Sequence, residues 1–199
     1  MAIKIQYNKS AIQQYQKQLE IREKALPTLK SKETALRMEV KNTGQMLEQK
    51  QRQVEEEMRK LKNMDKFWVE FPELIQIKNA DVKVRNIAGV KIPILADVNY
   101  EVADYALFPQ PAWIPAGVDI LKKIIKLRVE IKITERQFAI LNLARKKTTQ
   151  KVNLYEKVQI PQYQNAIRMV KRFLEDKENL SKAAQKLVKK RHERKEAAA

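Results

Sequence analysis

The sequence predicts a mainly α-helical protein. Its expected core is a long antiparallel left-handed coiled coil of an N-terminal and a C-terminal helix, with a small β-hairpin-containing insert between them. Three observations carry this prediction. Glycine occurs three times in 199 residues, at Gly44, Gly89 and Gly117, while 33% of residues are charged and 7% aromatic, a balance typical of long helices. Apolar residues return every seven positions in the first and last thirds of the chain. Five of the seven prolines, Pro72, Pro93, Pro109, Pro111 and Pro115, fall between residues 68 and 117.

The first helix is expected from Ser10 to about Phe67. Seven-residue steps from Ile12 meet Leu19, Leu26, Glu33, Val40, Leu47, Val54, Leu61 and Trp68, of which only Glu33 is polar. The companion row of Tyr15, Arg22, Leu29, Leu36, Thr43, Lys50, Glu57, Met64 and Phe71 is weaker, which suggests a specific partner helix rather than an idealised zipper. Pro27 removes a backbone donor and crowds the carbonyl four residues back, so a kink or a break is expected there. Gly44 leaves room for close approach of another backbone.

Residues 68–117 form the expected insert. Short alternating segments, Leu74–Ile77, Val82–Arg85, Lys91–Leu95 and Val98–Val102, read as up to four strands. Asn79-Ala80-Asp81, Gly89 and Asp97 supply the punctuation, and Pro93 belongs on an edge. Four short strands cannot enclose much core, so the insert has to pack on the helices or on a partner. Phe67, Trp68, Phe71, Phe108 and Trp113 flank it, either as packing at the helix–insert junction or as an exposed anchor for a partner.

Gly117 is expected to release the chain into the last helix, residues 118–196, with Asp119 at its positive end. Steps of seven from Ile124 give Ile131, Phe138, Arg145, Val152, Gln159, Ala166, Phe173, Leu180 and Leu187. Ile120, Leu127, Leu141, Tyr155 and Met169 lie on a neighbouring row. Pro161 predicts a second kink. The division is therefore residues 1–67, 68–117 and 118–196 within one elongated domain, both termini at the same end.

The net charge is +17, and it is uneven. Basic residues outnumber acidic ones by 15 to 9 over residues 1–66 and by 22 to 9 over 118–199, whereas the insert has 4 against 6. Acidic partners are favoured. The basic clusters Arg145-Lys146-Lys147 and Lys189-Lys190-Arg191 could contact phosphates, but no nucleic-acid-reading motif accompanies them. A basic coiled-coil adaptor or nucleic-acid-binding protein is the alternative reading. With no cysteine, thiolate chemistry and disulfides are excluded. There is no phosphate-cradling glycine loop, and the single histidine, His192, sits in a basic tail. No catalytic residue, cofactor or metal ligand is expected. No stretch is apolar and long enough to span a membrane.

Three short motifs supply a resemblance. Val152-Asn153, Glu156 and Ile160-Pro161 look like the Val-Asn-x-x-Glu…Ile-Pro signature of the D subunit of V-type (vacuolar/archaeal-type) ATPases. Leu29-Lys30-Ser31-Lys32 with Leu36 resembles the family's N-terminal Leu-Lys-x-Lys…Leu, and Gly89-Val90 with Pro93 resembles its middle Gly-Val-x-x-Pro. The basic run before Val152 is interrupted by Thr148-Thr149-Gln150, and Pro27 is a further departure. The resemblance implies a non-catalytic central rotor shaft coupling a membrane ion-translocating ring to ATP hydrolysis or synthesis. The implied partners are the hexamer of catalytic A and B subunits, the F subunit, and the C (d-like) subunit on the ring. The implied place is peripheral, on the cytoplasmic side of a bacterial or archaeal membrane, since the long C-terminal tail of eukaryotic members is lacking. Ile12, Tyr15, Leu180, Leu187, Lys190 and Arg191 are the residues expected to face the hexamer.

Overall fold

A computed structural model describes residues 5–61, 71–72, 74–103 and 113–196. The element order is α1 (Lys9–Leu61), β1 (Ile75–Ile87), β2 (Val90–Val102), α2 (Ile114–Asn153), a π-helical segment (Leu154–Gln159) and α3 (Ile160–Glu196). Two long helical stretches with a two-stranded antiparallel hairpin between them agree with the predicted fold class. Met64, Phe67, Trp68 and Phe108 lie outside the described residues.

Contacts gather the chain into two compact units. One joins residues 1–31 with 149–199, and the other spans 32–148. In the first, Ala11 and Tyr15 on α1 pack with Ala166 and Val170 on α3. In the second, Leu36 packs with Leu141 and Ile92, and Lys50 pairs with Glu130. Within each unit, rising numbers on α1 meet falling numbers on the later helix, so the pairing is antiparallel.

Helix α1 starts where Asn8 Oδ1 accepts the Ala11 N–H at 2.6 Å, satisfying one of the free donors of the first turn. It passes through Pro27 without ending. Pro27 and Glu23, whose carbonyl loses its helical donor, are both exposed, so solvent can replace that hydrogen bond. The row through Ile12 is only half-buried, whereas the weaker row supplies the fully covered Tyr15, Leu36 and Thr43. Its threonine is satisfied locally: Thr43 Oγ1 donates to the Glu39 carbonyl at 2.7 Å. Thr134 and Thr148 on α2 repeat the device, donating to the carbonyls of Glu130 and Ala144. A threonine that returns its hydroxyl to its own helix can sit in a buried seam. Gly44 admits the ring of Phe138, not a backbone: a Cβ there would stand 3.5 Å from Cε2.

Among its described residues the insert is a hairpin of two 13-residue strands, and the four expected short segments lie along these two. The expected breaks are bulges. The register runs from Ile75↔Val102 to Ile87↔Val90 and slips between Ile77 and Asn79 and between Asp81 and Val82. Asn79 and Asn99 donate to the two carboxylate oxygens of Asp81 at 3.0 and 3.4 Å. Side chains that often close turns here tie together two strands that continue past them. The tight turn is Ala88-Gly89, with φ of 49° and 76°, as a two-residue hairpin requires. β2 packs on the helices through Ile92, and its Val98 is also buried, while β1 is largely exposed.

Helix α2 begins at Ile114, ahead of the expected start, with Pro115 in its first turn, where a missing N–H costs nothing. Gly117 therefore lies inside the helix, its N–H bonded to the Trp113 carbonyl at 3.0 Å. It is small because a Cβ would come within 2.8 Å of Phe71 Cε2. Phe71 and Trp113 pack beside Leu74, Ile114 and Val118, so these two aromatics serve the junction.

The straight heptad count fails after Val152. Six residues, Leu154–Gln159, are π-helical, and the Ile160 N–H bonds to the Tyr155 carbonyl, five residues back. Each π turn takes in one residue more than an α turn. The seam on α3 runs through Ala166 and Val170, with Ile160, Tyr163, Ile167 and Leu174 half-buried beside them. Of the rows expected to continue the seam, Met169, Leu180 and Leu187 turn outward, at 51%, 72% and 64% exposed, while the Phe173 ring packs 4.8 Å from that of Tyr7. Only Ala166 of that expected row remains buried.

Candidate functional site

The π-helical turn is the place where two of the sequence motifs meet. Lys30 Nζ donates to Glu156 Oε1 at 2.6 Å, although 126 residues separate them. Each belongs to a different motif singled out from the sequence. Both side chains are about half exposed, at 49% and 43%, so the pair contributes no more than about 1 kcal/mol. Its value is geometric, because it fixes the level at which α1 meets the turn.

Arg22, further toward the start of α1, acts in the same way. Its Nε donates to Gln159 Oε1 at 2.6 Å, and one terminal nitrogen donates to the carbonyl and side chain of Gln18. The guanidinium also lies 4.7 Å from the Tyr163 ring centroid and 5.8 Å from that of Tyr155, within range of a cation–π attraction. Arg22 and Gln159 occupy seam rows and read, in the sequence, as defects in an apolar repeat. Their places on two separate rows give no sign that they are partners.

Pro161 follows this turn directly. In an α-helix its ring would press on the carbonyl of Lys157 and leave an acceptor without a donor. The wide turn ending at Ile160 relieves that conflict, and the helical stretch continues through Pro161 into α3. Val152 is buried and Ile160 half-buried, whereas Asn153 and Pro161 are exposed. Leu29 is half-buried on α1.

The remaining motif residues gather in the unit spanning 32–148. A Cβ on Gly89 would lie 3.2 Å from Lys32 Nζ, so Lys32 stands against the hairpin turn. Leu36, which is fully buried, packs with Ile92 and Leu141, flanked by Val90 and Ile87. Pro93 lies opposite Val84, and its carbonyl accepts a hydrogen bond from Gln137 Nε2 at 2.5 Å. Tyr100 adds a second tie, its hydroxyl donating to the Lys122 carbonyl at 3.2 Å. Burial, then the charges of Asp97 and Glu130, push the Tyr100 phenol above its ordinary value. In the same unit lies a cavity of about 300 Å³ lined by Met46, Ile94, Ile133 and the Lys50–Glu130 pair.

The residues expected to face a hexamer separate into two kinds. Tyr15 is 7% exposed and turned into its own chain, with its hydroxyl accepting the Gln6 N–H at 3.1 Å. Ile12 is half-buried beside it. Leu180, Leu187, Lys190 and Arg191 are all exposed. Among the described residues, no group of three or more His, Asp or Glu side chains is placed to hold a metal ion. No helix among them is long and apolar enough to cross a membrane.

This arrangement belongs to a sequence pattern found in known proteins. Residues 11–190 match the family model for the D subunit of ATP synthase. The chain is 32% identical to the V-type ATP synthase D subunit of Borreliella burgdorferi, over 94% of each chain. It is 24% identical to the corresponding D subunit of Chlamydia pneumoniae, over 99% of this chain and 97% of that one. The Chlamydia muridarum D subunit is also 24% identical, over 96% and 97%. With a family model spanning nearly its whole length and a bacterial relative at this identity, the chain belongs to the ATP synthase D-subunit family.

Proposed function

We propose that the chain is the central rotor shaft of a V-type ATP synthase, linking rotation of a membrane ion-translocating ring to the catalytic A and B subunits. As a member of the D-subunit family it is a non-catalytic stalk component of a rotary ATPase. A shaft needs helices held side by side at fixed levels, and the antiparallel seams with the Lys30–Glu156 and Lys50–Glu130 pairs supply that in each unit. It conveys conformational bias to sites that do the chemistry, by contacts that differ between their states.

One observation carries the assignment of a contact surface. Every residue from Glu175 to Arg194 is exposed, yet Leu180, Leu187 and Val188 are among them. Apolar side chains on a helix without cover within its own chain mark an interaction site. The α3 end, with Lys190 and Arg191 beside these leucines, is the part that enters the hexamer. Tyr15 and Ile12 contribute by holding α1 against α3. The F subunit and the C (d-like) subunit take the surfaces of the hairpin-bearing unit, on the cytoplasmic side of the membrane.

Tagged chain should co-purify with A, B and F subunits; recovery only as a free homodimer would sink the reading. Removing residues 180–199 should weaken coupling of ATP hydrolysis to rotation while leaving F bound. Loss of F on that truncation would refute the orientation.

A further inference from the structure

Strand β1 leaves one edge of the hairpin open, and the turn fixes which main-chain groups lie on it. Ile87 pairs with Val90 across the two-residue turn Ala88-Gly89. In a hairpin so closed, the flanking pair exchanges two hydrogen bonds, and bonded and non-bonded pairs then alternate. Lys83↔Ile94 and Arg85↔Ile92 are therefore bonded pairs, whereas Val82↔Leu95, Val84↔Pro93 and Asn86↔Lys91 are not. Pro93 agrees: it has no N–H to give, and its carbonyl points outward to Gln137 of α2. The outer edge of β2 is thus turned to the helix. On β1 the N–H and C=O groups of Val82, Val84 and Asn86 point the opposite way. All three residues are exposed, and no main-chain bond leaves them among the described residues. The bulges end at Val82, so residues 82–87 form a regular ladder.

Side chains on this edge alternate in kind. Val82 and Val84, 47% and 69% exposed, share a face with their partners Leu95 and Pro93. Lys83 and Arg85 lie on the other face, and neither has an ion-pair partner among the described residues. Residues 82–96 hold Lys83, Arg85 and Lys91 and no carboxylate. We infer that the open edge from Val82 to Asn86 docks an extended segment of a partner protein in which acidic and apolar residues alternate. The segment adds as a third strand, bonding to the free main-chain groups of Val82, Val84 and Asn86. Its apolar side chains extend the Val82–Val84 face, and its carboxylates meet Lys83 and Arg85. A second copy of the chain does not fit. Pairing two such edges sets Lys83 and Arg85 against the same cations, on a chain already at +17. Edge cations oppose such self-pairing and favour an acidic guest. Which neighbour supplies the strand rests on the rotor reading; the open edge does not.

The probe is a blocked hexapeptide of alternating glutamate and valine, added to the isolated full chain. Amide exchange with solvent is followed residue by residue by NMR. At a peptide concentration about ten times its Kd, exchange at Val82, Val84 and Asn86 should slow roughly tenfold. Lys83 and Arg85, whose amides are already bonded within the hairpin, should keep their rates. That every-other-residue pattern belongs to strand addition and not to charge attraction alone. A lysine–valine hexapeptide should protect none of these amides. Lys83→Glu with Arg85→Glu should reverse the preference between the two peptides, and slow exchange retained at both substituted positions establishes that the hairpin is kept. Protection spread evenly over residues 82–86, no protection at all, or an unreversed preference in the double variant overturns the proposal. Because the test uses the chain alone, its failure is separable from failure to co-purify with other subunits.

Discussion

Ala88 holds a left-handed backbone, with φ of 49°, that its side chain disfavours. The strain is of the order of 1 kcal/mol for an L-residue. Ala88→Asn should therefore raise stability by up to about 1 kcal/mol, read from the denaturant midpoint. Gly89→Ala should lower it, since φ there is 76°. Gly117→Ala presents the opposite case, a sterically filled site. The added methyl meets Phe71 Cε2 at 2.8 Å, and overpacking of this sort costs about 1–3 kcal/mol. Tyr100 gives a pH signature. Its phenol is pushed up from 10.0 in the folded chain, chiefly by burial. A group with a raised folded value lends stability that is complete below its unfolded value and disappears as pH climbs through the folded one. Alkaline unfolding of the parent chain should therefore steepen above a pH of about 10, and Tyr100→Phe should lose that component. A parent and variant with superimposable alkaline transitions would contradict the assignment.

The helices illustrate how an apolar repeat selects a partner. Seven of the eight positions of the first row that lie on α1 are apolar, yet that row is the less buried of the two over its described side chains. The second row carries Arg22, Thr43 and Lys50, and each polar group has a partner: Gln159, the Glu39 carbonyl and Glu130. Such groups are costly to bury alone and nearly neutral when paired, so they specify level and register. Leu36→Ala removes a fully buried side chain from the Ile92–Leu141 cluster. It should cost about 2–5 kcal/mol, measured by thermal or urea unfolding. By contrast Leu180→Asp or Leu187→Asp, at 72% and 64% exposed, should change stability of the isolated chain by no more than about 0.5 kcal/mol. A large loss would mean that these leucines are packed within the chain.

For the molecule as a whole, the same two leucines separate folding from function. Leu180→Asp and Leu187→Asp together should leave the chain folded and F-binding intact while weakening its hold in the catalytic hexamer, assayed by pull-down with A and B subunits. The positive charge of the last helix, 22 basic against 9 acidic residues over 118–199, should make that association fall as ionic strength rises. Binding that ignores salt would assign the contact to the apolar residues alone.

Much of this was legible in the chain itself. Seven-residue spacing gave the two helical stretches, the proline-rich middle gave the insert, and the Val152–Pro161 motif gave the family. Long-range helical periodicity survives because a helix is a local structure whose pattern repeats many times. The insert was less legible: Asn79, Asp81 and Asp97 carry turn chemistry, and only cross-strand pairing makes bulges of them. The partners Arg22–Gln159 and Lys30–Glu156 lie 137 and 126 residues apart, beyond any local pattern. The phase of the α3 seam was decided by tertiary structure for a similar reason. One extra residue in the π turn before Pro161 moves every later side chain around the helix, and no heptad count includes it. Sequence determined that α3 would be apolar on a stripe; packing against α1 decided which stripe is covered and which is left for others.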